Sequence, residues 1–525
     1  MKNIAKTKAE YFGGKEYESR LMEIIENPEG LFKTDRQMIE SEIKKNKELK
    51  HYLKVRDLNL KTLLYYDDLK KQGKTAQEII EYVQKDKELL ARFIAFKEYQ
   101  KDLKTRFFGY PENLNEDSAF VRFLRKKESE LYHINNCGDP EEKGNYLMDS
   151  KVFEKEVLKL FYDKFGVDEK EGWGYITTGG TESNNWAIRS GFNKYPNAKL
   201  YFCEAAHYSV EKSASNGSEQ IFPYKIIEQE GKFSEKIDKQ KLLDEIEKDW
   251  NDGKGNPAVL VLTWGTTKFG AFDDIKEITA KLKEKEIPYF LHVDAACHGG
   301  IPKHHENAPV VPSLDELGAD SISVSFHKYF GIPTINSVII SKDKAMGKEI
   351  SYIGQRDTTI AGSRTFPAMS SLTRIRDMLQ RSPQDSYIKN INYLEERLKE
   401  KNVDYYRAPQ SNMFVFPKPE ENICKEFQLA TFKSVDGVEM AHAIVFPYHQ
   451  SQQIDRLVER IVCDQKLNKR SFEARSEHKK TLNNNLDEIE KIDCKKNVSR
   501  LVNFFEGLTN QNFKGILTKT GDRTL

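Results

Sequence analysis

The sequence has little of the material that several protein classes require. Only six of its 525 residues are cysteine, and no two form a C-x-x-C pair, which favours a reducing compartment over a disulfide-stapled scaffold. The 83 basic and 82 acidic residues leave a net charge of +1, so nothing indicates binding to nucleic acid or a membrane surface. The longest apolar runs, such as 258–262, are far shorter than a membrane span. With no apolar stretch near the N-terminus long enough for a signal peptide, we expect a cytoplasmic protein.

What the sequence does contain is an alternation of helix and strand patterns, which predicts an α/β fold. Between about 150 and 345, short apolar segments are separated by amphipathic ones, which is typical of a doubly wound, mostly parallel sheet. Later segments indicate a smaller α+β domain. We predict a helical N-terminal extension (1–105), a large domain (106–384), a small domain (385–468) and a charged helical tail (469–525).

A lysine follows directly after one predicted strand, in SVSFHKYFGIP (323–333). Apolar residues alternate with serines up to Phe326, and Gly331 then breaks the pattern. His327 and Lys328 are therefore expected at the carboxyl end of a strand, where open α/β sheets bind ligands. A lysine amine held there can form an imine with an aldehyde, although a surface lysine is the structural alternative.

An acidic residue ends another predicted strand, in HVDAACHGG (292–300). Asp294 can pair with a protonated ring nitrogen and keep a pyridinium charged. Ala296 is small enough to leave space for a flat ring beside it. The alternative is an aspartate that caps the following helix.

Two more groups lie at strand ends. Gly179 and Gly180, in TTGGTESN (177–184), stand between a strand and a helix, where backbone N–H groups can bind a phosphate. The spacing is neither a dinucleotide fingerprint nor a P-loop, and an ordinary tight turn is the alternative. His207 follows the strand KLYFC and could either stack on an aromatic ligand or be a structural histidine.

Together the four groups specify one ligand. They supply a phosphate cradle, space for a flat ring between a histidine and an alanine, an acid for the ring nitrogen and an amine for an aldehyde. Pyridoxal 5′-phosphate (PLP) has all four handles. Ser325 and His327 would help to fix the phosphate, and we assign no metal to the site.

An ordered series of further motifs extends from about Gly109 to Asp464. They are GYPEN (109–113), INNCGD (134–139), NYLMDSKVFEKEV (145–157), WGYITTGGTESN (173–184), HYSV (207–210), GTTKFGAFDD (265–274), LHVDAA (291–296), SFHK (325–328) and AGSR (361–364). In them the sequence resembles the group II PLP-dependent amino-acid decarboxylases, most closely the bacterial-type histidine decarboxylases and the plant serine decarboxylases. The resemblance implies the aspartate-aminotransferase-like (type I) fold and a homodimer with active sites formed between subunits.

The resemblance also implies roles for individual residues. His207 would stack on the ring, Asp294 would hold the pyridine nitrogen and Lys328 would bind the aldehyde. The predicted cofactor-binding residues are Thr178, Gly179, Gly180, Thr181, His207, Thr266, Asp294, Ala296, Ser325, His327 and Lys328. The predicted substrate-binding residues are Ser363, Arg364 and Ser411.

Two segments depart from the histidine-decarboxylase pattern. YFGIPTINS follows Lys328 in place of a Met-Ile-Gly-Ser-Pro-type run, and Gln355-Arg356 replaces an Ala-His pair in YIGQRDTTIAGSR. Both bear on which amino acid is the substrate more than on the reaction. Histidine is the first choice and serine the second, with an aromatic or other amino acid behind them.

The predicted reaction converts an L-amino acid into its amine and CO2. Tyr352 is the candidate that returns a proton to Cα, with His207 as the alternative. Gly354 and Gly362 would let the segment between them act as a lid that excludes water. The alternatives are a different PLP reaction, such as aldol cleavage or transamination, and a scaffold protein that has kept the fold without the chemistry.

Overall fold

The computed structural model describes residues 100–478, together with 72 and 73. Within that range the gaps are 130, 132–133, 147, 217–218, 232–233, 253–254, 303–307, 345–346 and 381–383, and side chains are described as far as Asp464. The chain divides into two compact units, 1–100 and 101–525, and every helix and strand below belongs to the second. The helical extension predicted for 1–105 lies almost entirely outside the described residues, as does the tail beyond His478.

The helices and strands follow the predicted alternation. The strands are β1 (Trp173–Thr177), β2 (Lys199–Cys203), β3 (Ser215–Asn216), β4 (Glu219–Gln220), β5 (Tyr224–Ile227), β6 (Ala258–Thr263), β7 (Tyr289–Asp294), β8 (Ser321–Ser325), β9 (Ser337–Ser341), β10 (Lys348–Ile350), β11 (Gln355–Asp357), β12 (Met413–Pro417), β13 (Ala430–Lys433) and β14 (Glu439–Ile444). The helices are α1 (Ala119–Glu128), α2 (Lys151–Phe165), α3 (Gly180–Lys194), α4 (Ser209–Ala214), α5 (Lys239–Asn251), α6 (Ile275–Glu284), α7 (Leu314–Leu317), α8 (Ala368–Gln380), α9 (Gln384–Glu400), α10 (Glu421–Phe427) and α11 (Ser451–His478). None of these described helices is long and apolar enough to cross a bilayer.

The large sheet has seven strands in the order β1-β9-β8-β7-β6-β2-β5. Strands β8, β7, β6, β2 and β5 pair in parallel, which confirms the predicted α/β class. Strand β9 lies antiparallel between β1 and β8. Every residue of β1, β6, β8 and β9 is buried, as expected for a sheet covered by helices on both faces.

This topology brings three strand ends to one edge of the sheet. Because β9 is antiparallel to both of its neighbours, β1 points the same way as β8 and β7. Asp294 at the end of β7 is paired in register with Ser323 of β8. Helix α3 starts at Gly180, three residues after β1 ends. The motifs that follow β1, β7 and β8 therefore meet at one edge.

The smaller sheet has the order β12-β14-β13 and is antiparallel throughout. A segment that precedes the large sheet in the chain, Phe107–Gly109, packs beside this smaller sheet. We call this segment the strap. The strap's backbone N–H at Phe108 donates to Phe427 O at 3.1 Å, and Phe108 O accepts from Ile444 N at 2.6 Å. A Cβ on Gly109 would lie 1.8 Å from Gln428 O, so only glycine fits there.

Candidate active site

Lys328 lies in the turn that follows β8, as the sequence predicts. Its side chain is half-buried, and its backbone oxygen accepts a hydrogen bond from Asn113 N at 2.9 Å. Burial lowers the pKa of His207, and the positive charge of Lys328 lowers it further, whereas the charge of Asp294 raises it. The three residues predicted to hold the cofactor's reactive atoms thus act electrostatically on one another.

Asp294 is buried at the end of β7, and both of its carboxylate oxygens accept hydrogen bonds. Asn184 Nδ2 donates to Oδ2 at 2.9 Å, and Ala296 N donates to Oδ1 at 3.1 Å. Ala296 O in turn accepts from Ser325 N at 3.0 Å. This last bond ties the loop after β7 to the end of β8, which carries Lys328.

The glycine turn packs against the same strand end. Gly179 has φ +145°, a backbone conformation open only to glycine. A Cβ added to Gly180 would lie 3.3 Å from Ser325 Oγ, so the N-terminus of α3 is next to β8. The Thr178 hydroxyl donates to Glu182 Oε2, and Thr181 is half-buried in the first turn of the helix.

His327 supplies a test of whether a phosphate fits here. Burial lowers its pKa to about 4, helped by the charge of Lys328, so its ring is neutral. Its Nδ1 is buried with no hydrogen-bond partner in the described structure, although buried polar atoms are normally paired. An orphaned ring nitrogen beside a helix N-terminus fits a phosphate that would complete its hydrogen bonding.

The structure adds three side chains that the sequence reasoning missed. Asn184, Ser209 and His292 join His207 and Asp294 in a buried network that we call the ring-site cluster. Asn184 Nδ2 also donates to Ser209 Oγ at 2.9 Å, and His292 Nε2 lies 3.1 Å from Asn184 Oδ1. Ser209 Oγ lies 2.8 Å from His207 Nδ1. One signal was available: His292 and Asp294 share a face of β7, and a polar residue in a buried strand needs a partner.

Two other predicted residues, Thr266 and Ser411, are near the turn after β6. The Thr266 hydroxyl accepts from Ala271 N at 2.9 Å. Ser411 is fully buried, and its hydroxyl accepts from Met413 N at 3.1 Å. A Cβ on Gly270 would lie 2.3 Å from Ser411 Oγ, which places the segment before β12 directly on this turn. Their roles toward cofactor and substrate stay predictions.

The segment 351–364 is held by a second buried group, which we call the loop-anchor cluster. Its members are Asn136, Lys151, Glu154, Gln355 and Arg364. Lys151 Nζ donates to Gln355 Oε1 at 2.6 Å, and Gln355 Nε2 donates to Cys137 O at 2.8 Å. Burial lowers the pKa of Lys151, as does the charge of Arg364. Gln355, one of the two residues that depart from the histidine-decarboxylase pattern, therefore anchors the segment 351–364 to the rest of the fold.

Arg364 was predicted to bind substrate, but its observed contacts are structural. Its guanidinium is buried in an ion pair with Glu154 and also donates to Ile176 O at 2.9 Å and Gly138 O at 3.2 Å. Ser363 is exposed, and its hydroxyl accepts from Asn135 Nδ2 at 3.2 Å. Substrate binding by these two residues stays a prediction, and the contacts of Arg364 within the described chain do not favour it.

Within the described residues, no hydrogen bond or ring contact joins Tyr352 to Lys328 or to the ring-site cluster. Its side chain is 75% exposed, in the turn between β10 and β11. Its backbone oxygen accepts from Asn145 Nδ2 at 3.4 Å. The segment does reach the phosphate side of the site, because Ala361 N donates at 3.2 Å to Glu182, the residue that accepts from Thr178.

Comparisons with known proteins agree with this geometry. The pyridoxal-dependent decarboxylase conserved domain matches residues 181–367. The chain is 33% identical over 380 residues to histidine decarboxylase from Vibrio campbellii, covering 69% of this chain and 92% of that protein. It is also 33% identical over 388 residues to histidine decarboxylase from Morganella morganii, covering 69% and 94%.

Solved structures show the same fold at lower identity. L-methionine decarboxylase from Streptomyces sp. 590 is 20% identical with a TM-score of 0.60, covering 72% of this chain and 95% of that one. A sphingosine-1-phosphate lyase from Burkholderia pseudomallei is 16% identical with a TM-score of 0.57, covering 77% and 94%. From its site and its relatives, the chain belongs to the group II pyridoxal-dependent decarboxylases and is a PLP-dependent amino-acid carboxy-lyase.

Proposed function

We propose that this decarboxylase acts on L-histidine and releases histamine and CO2. The observation that supports histidine is the 33% identity to the histidine decarboxylases of Vibrio campbellii and Morganella morganii, which spans 92% and 94% of their lengths. The methionine decarboxylase is only 20% identical, so it speaks for the fold and not for the substrate.

The residues at the sheet edge fit the cofactor that this reaction needs. Lys328 would hold the aldehyde carbon, Asp294 the ring nitrogen, and the N-terminus of α3 with Ser325 and His327 the phosphate. When bound, PLP supplies an electron sink for the pair left at Cα as CO2 departs. Asp294 accepts donors on both oxygens, so its carboxylate is oriented before a ligand arrives.

His207 and Tyr352 are the two candidates that return a proton to Cα. His207 is in the ring-site cluster, beside the position proposed for the ring. Tyr352 is 75% exposed, and within the described residues only the far end of its segment, at Ala361, reaches the phosphate side of the site in the same subunit. We propose Tyr352 as the donor, with His207 as the alternative, and we propose that the Tyr352 segment covers a site of the neighbouring subunit.

A homodimer with a shared active site is part of this proposal. Exposed apolar side chains collect around the Tyr352 segment: Tyr146, Met148 and Val152 are 45%, 52% and 63% exposed. The backbone N–H of Asn145 donates to Ile353 O at 2.8 Å, which places this stretch beside the segment. Exposed apolar side chains grouped along one stretch of chain suit an interface, and a second copy of the chain would cover them.

The proposed compartment is the cytoplasm. The five cysteines in the described part of the chain, among them Cys137 and Cys297, form no disulfide, which suits a reducing compartment. Fractionation of cells that express the chain should place the activity with cytoplasmic markers, and activity in an extracellular or periplasmic fraction would contradict the proposal.

A substrate screen tests the choice of histidine. Purified protein loaded with PLP is given each of the twenty L-amino acids, and both CO2 and the amine are measured, with Lys328→Ala as the blank. We expect the highest kcat/KM for histidine with histamine as product. A higher value for serine or another amino acid would overturn the substrate, and a keto acid in place of CO2 would indicate transamination.

Mixed dimers test the shared site. Lys328→Ala and Tyr352→Phe, each expected to have little or no activity, are purified separately. They are then mixed under conditions that exchange subunits. If the Tyr352 segment serves the neighbouring subunit, a hybrid carries one site with both wild-type residues, and activity rises above that of either variant. No rise in a mixture shown to contain hybrids would contradict the shared site.

A further inference from the structure

The ring-site cluster contains one side chain that contacts three of the other four members. Asn184 is buried in the first turns of α3, and its amide nitrogen donates at 2.9 Å both to Asp294 Oδ2 and to Ser209 Oγ. Its amide oxygen lies 3.1 Å from His292 Nε2. The hydrogen bonds of Asn184 and Ser209 lead to Asp294 and His207, the two residues assigned to the cofactor ring, and we expect any effect on the reaction to pass through these two.

The amide orientation follows from the chemistry of its neighbours. A carboxylate only accepts hydrogen bonds, so the Asn184 nitrogen must face Asp294 and the oxygen must face His292. His292 Nε2 therefore carries a hydrogen, and its Nδ1, 2.9 Å from Ser321 Oγ, accepts from that hydroxyl. Burial lowers the pKa of His292, which agrees with a neutral ring.

The same reasoning extends to the other end of the network. Ser209 Oγ accepts from Asn184, so its own hydrogen is directed at His207 Nδ1, 2.8 Å away. The backbone N–H of Ser209 also donates to this nitrogen at 3.3 Å. With two donors facing Nδ1, the hydrogen of the neutral imidazole must be on Nε2.

We propose that Asn184 is a positioning residue that sets the tautomer of His207 through Ser209 while it orients the Asp294 carboxylate. The Asn184 amide thus links Asp294, proposed for the ring nitrogen, to His207, proposed to stack on the ring. Both would be set before the cofactor binds, and the arrangement does not depend on which amino acid the enzyme decarboxylates.

The charged groups that act on the pKa of His207 are at the ends of two neighbouring strands. Asp294 ends β7 and raises its pKa, Lys328 follows β8 and lowers it, and burial lowers it most. Through Asn184, the neutral His292 of β7 completes the set. Removing the Ser209 hydroxyl or the Asn184 amide takes away the donor that favours an unprotonated Nδ1, so the pKa of His207 should rise.

The test is a titration of the apoprotein with isotope-labelled histidine, followed by NMR. His207 is assigned by the signal that is lost in His207→Gln. In the wild type, the 15N shifts should show Nδ1 unprotonated and Nε2 protonated. In Asn184→Leu and Ser209→Ala, we expect a mixture of tautomers and a pKa higher by about one unit, a tenfold change in protonation.

A matched control separates this role from simple packing. Asn136 is equally buried and makes three side-chain hydrogen bonds, to Ser150 N, Ser150 Oγ and Glu154. Asn136→Leu should lower thermal stability and leave the His207 signal in place. If Asn184→Leu does not fold, Ser209→Ala decides, because it removes one oxygen only. An unchanged His207 titration and tautomer in Ser209→Ala would overturn the proposal.

Discussion

The ring-site cluster and the loop-anchor cluster are both buried, and both are built around an asparagine, yet they differ in the charges they hold. The ring-site cluster combines one carboxylate with two imidazoles whose pKa burial lowers. The loop-anchor cluster contains the ion pair of Arg364 and Glu154 and a buried lysine that donates to neutral oxygens. The first contains residues that we propose hold the cofactor ring, whereas the second joins distant parts of one chain.

That contrast predicts where changes should cost activity and where they should cost stability. A buried polar network that is fully paired rigidifies the fold, and a broken buried ion pair leaves an uncompensated charge. Substitutions at the ring site should therefore reduce turnover more than the free energy of unfolding. Substitutions in the loop anchor should do the reverse.

The largest expected effect is that of Lys328→Ala, at the mouth of the ring site. Turnover should be abolished, and the visible absorbance of the bound cofactor should be lost, because no amine remains to hold the aldehyde. The melting temperature of the apoprotein should change little. Undiminished CO2 release by the variant would eliminate the assigned role of Lys328.

In the loop anchor, Glu154→Gln should lower the free energy of unfolding by about 3–5 kcal/mol, since the buried Arg364 loses its counter-charge. Urea denaturation measures the change. The control is Glu142→Gln, whose partner Arg356 is exposed, and which should cost no more than about 1 kcal/mol. Equal costs for the two variants would break the contrast between buried and surface pairs.

Tyr352→Phe tests the segment above the anchor. The side chain is 75% exposed, so the free energy of unfolding should change by less than about 0.5 kcal/mol. If the phenol returns the proton to Cα, kcat should fall by about 10²-fold or more. Tyr146→Phe, exposed nearby, is the control and should keep its kcat. An unaltered kcat in Tyr352→Phe would move the role to His207.

Acid should weaken the imidazole-containing parts of the fold first. Burial lowers the pKa of His298 and His449 to about 4, and that of His292 falls as well. In the unfolded chain these histidines bind protons near pH 6.5, whereas in the folded chain they do not until the pH is near 4. Their contribution to the free energy of unfolding is therefore complete above pH 6.5 and is lost as the pH falls toward 4. Each histidine contributes up to about 1.4 kcal/mol per pH unit.

The carboxyl of Asp273 changes stability with pH in the opposite direction to these histidines. Burial raises the pKa of Asp273 to about 6, so the folded state binds its proton more tightly, and this residue removes stability as the pH rises from 4 to 6. The histidines with a pKa lowered to about 4, His327 among them, outnumber Asp273, the one described carboxyl whose pKa is raised as far as about 6. Urea denaturation of the apoprotein between pH 4 and 7 should show stability rising with pH, and His449→Gln should flatten the slope. A stability that falls over this range would contradict the assignment.

The sequence predicted what local patterns encode. The amphipathic segments expected between about 150 and 345 form helices such as α2, and the strand expected before Lys328 ends at Ser325. The polar residues predicted at three strand ends do meet at one edge of the sheet, because parallel strands end on the same side. The family, the cofactor and the decarboxylation were predicted from motifs and are confirmed by relatives.

Contacts between distant residues could not be predicted. Strand β9 has the same apolar character as its neighbours, and nothing in SVIIS indicates that it runs antiparallel between β1 and β8. Arg364 was assigned to the substrate from the AGSR motif. Its ion-pair partner, Glu154, lies 210 residues earlier, so local sequence could not indicate the pair. Asn184 was within a quoted motif, but its partner Asp294 is 110 residues away.

The strap connects the small sheet mechanically to the turn that carries Lys328. From its hydrogen bonds with Phe427 and Ile444, the chain runs only a few residues to Asn113, whose N–H binds the backbone oxygen of Lys328 and whose amide binds Tyr329 O. A shift of the small sheet would therefore displace the peptide of Lys328 directly through the backbone, with no substrate needed to transmit the movement.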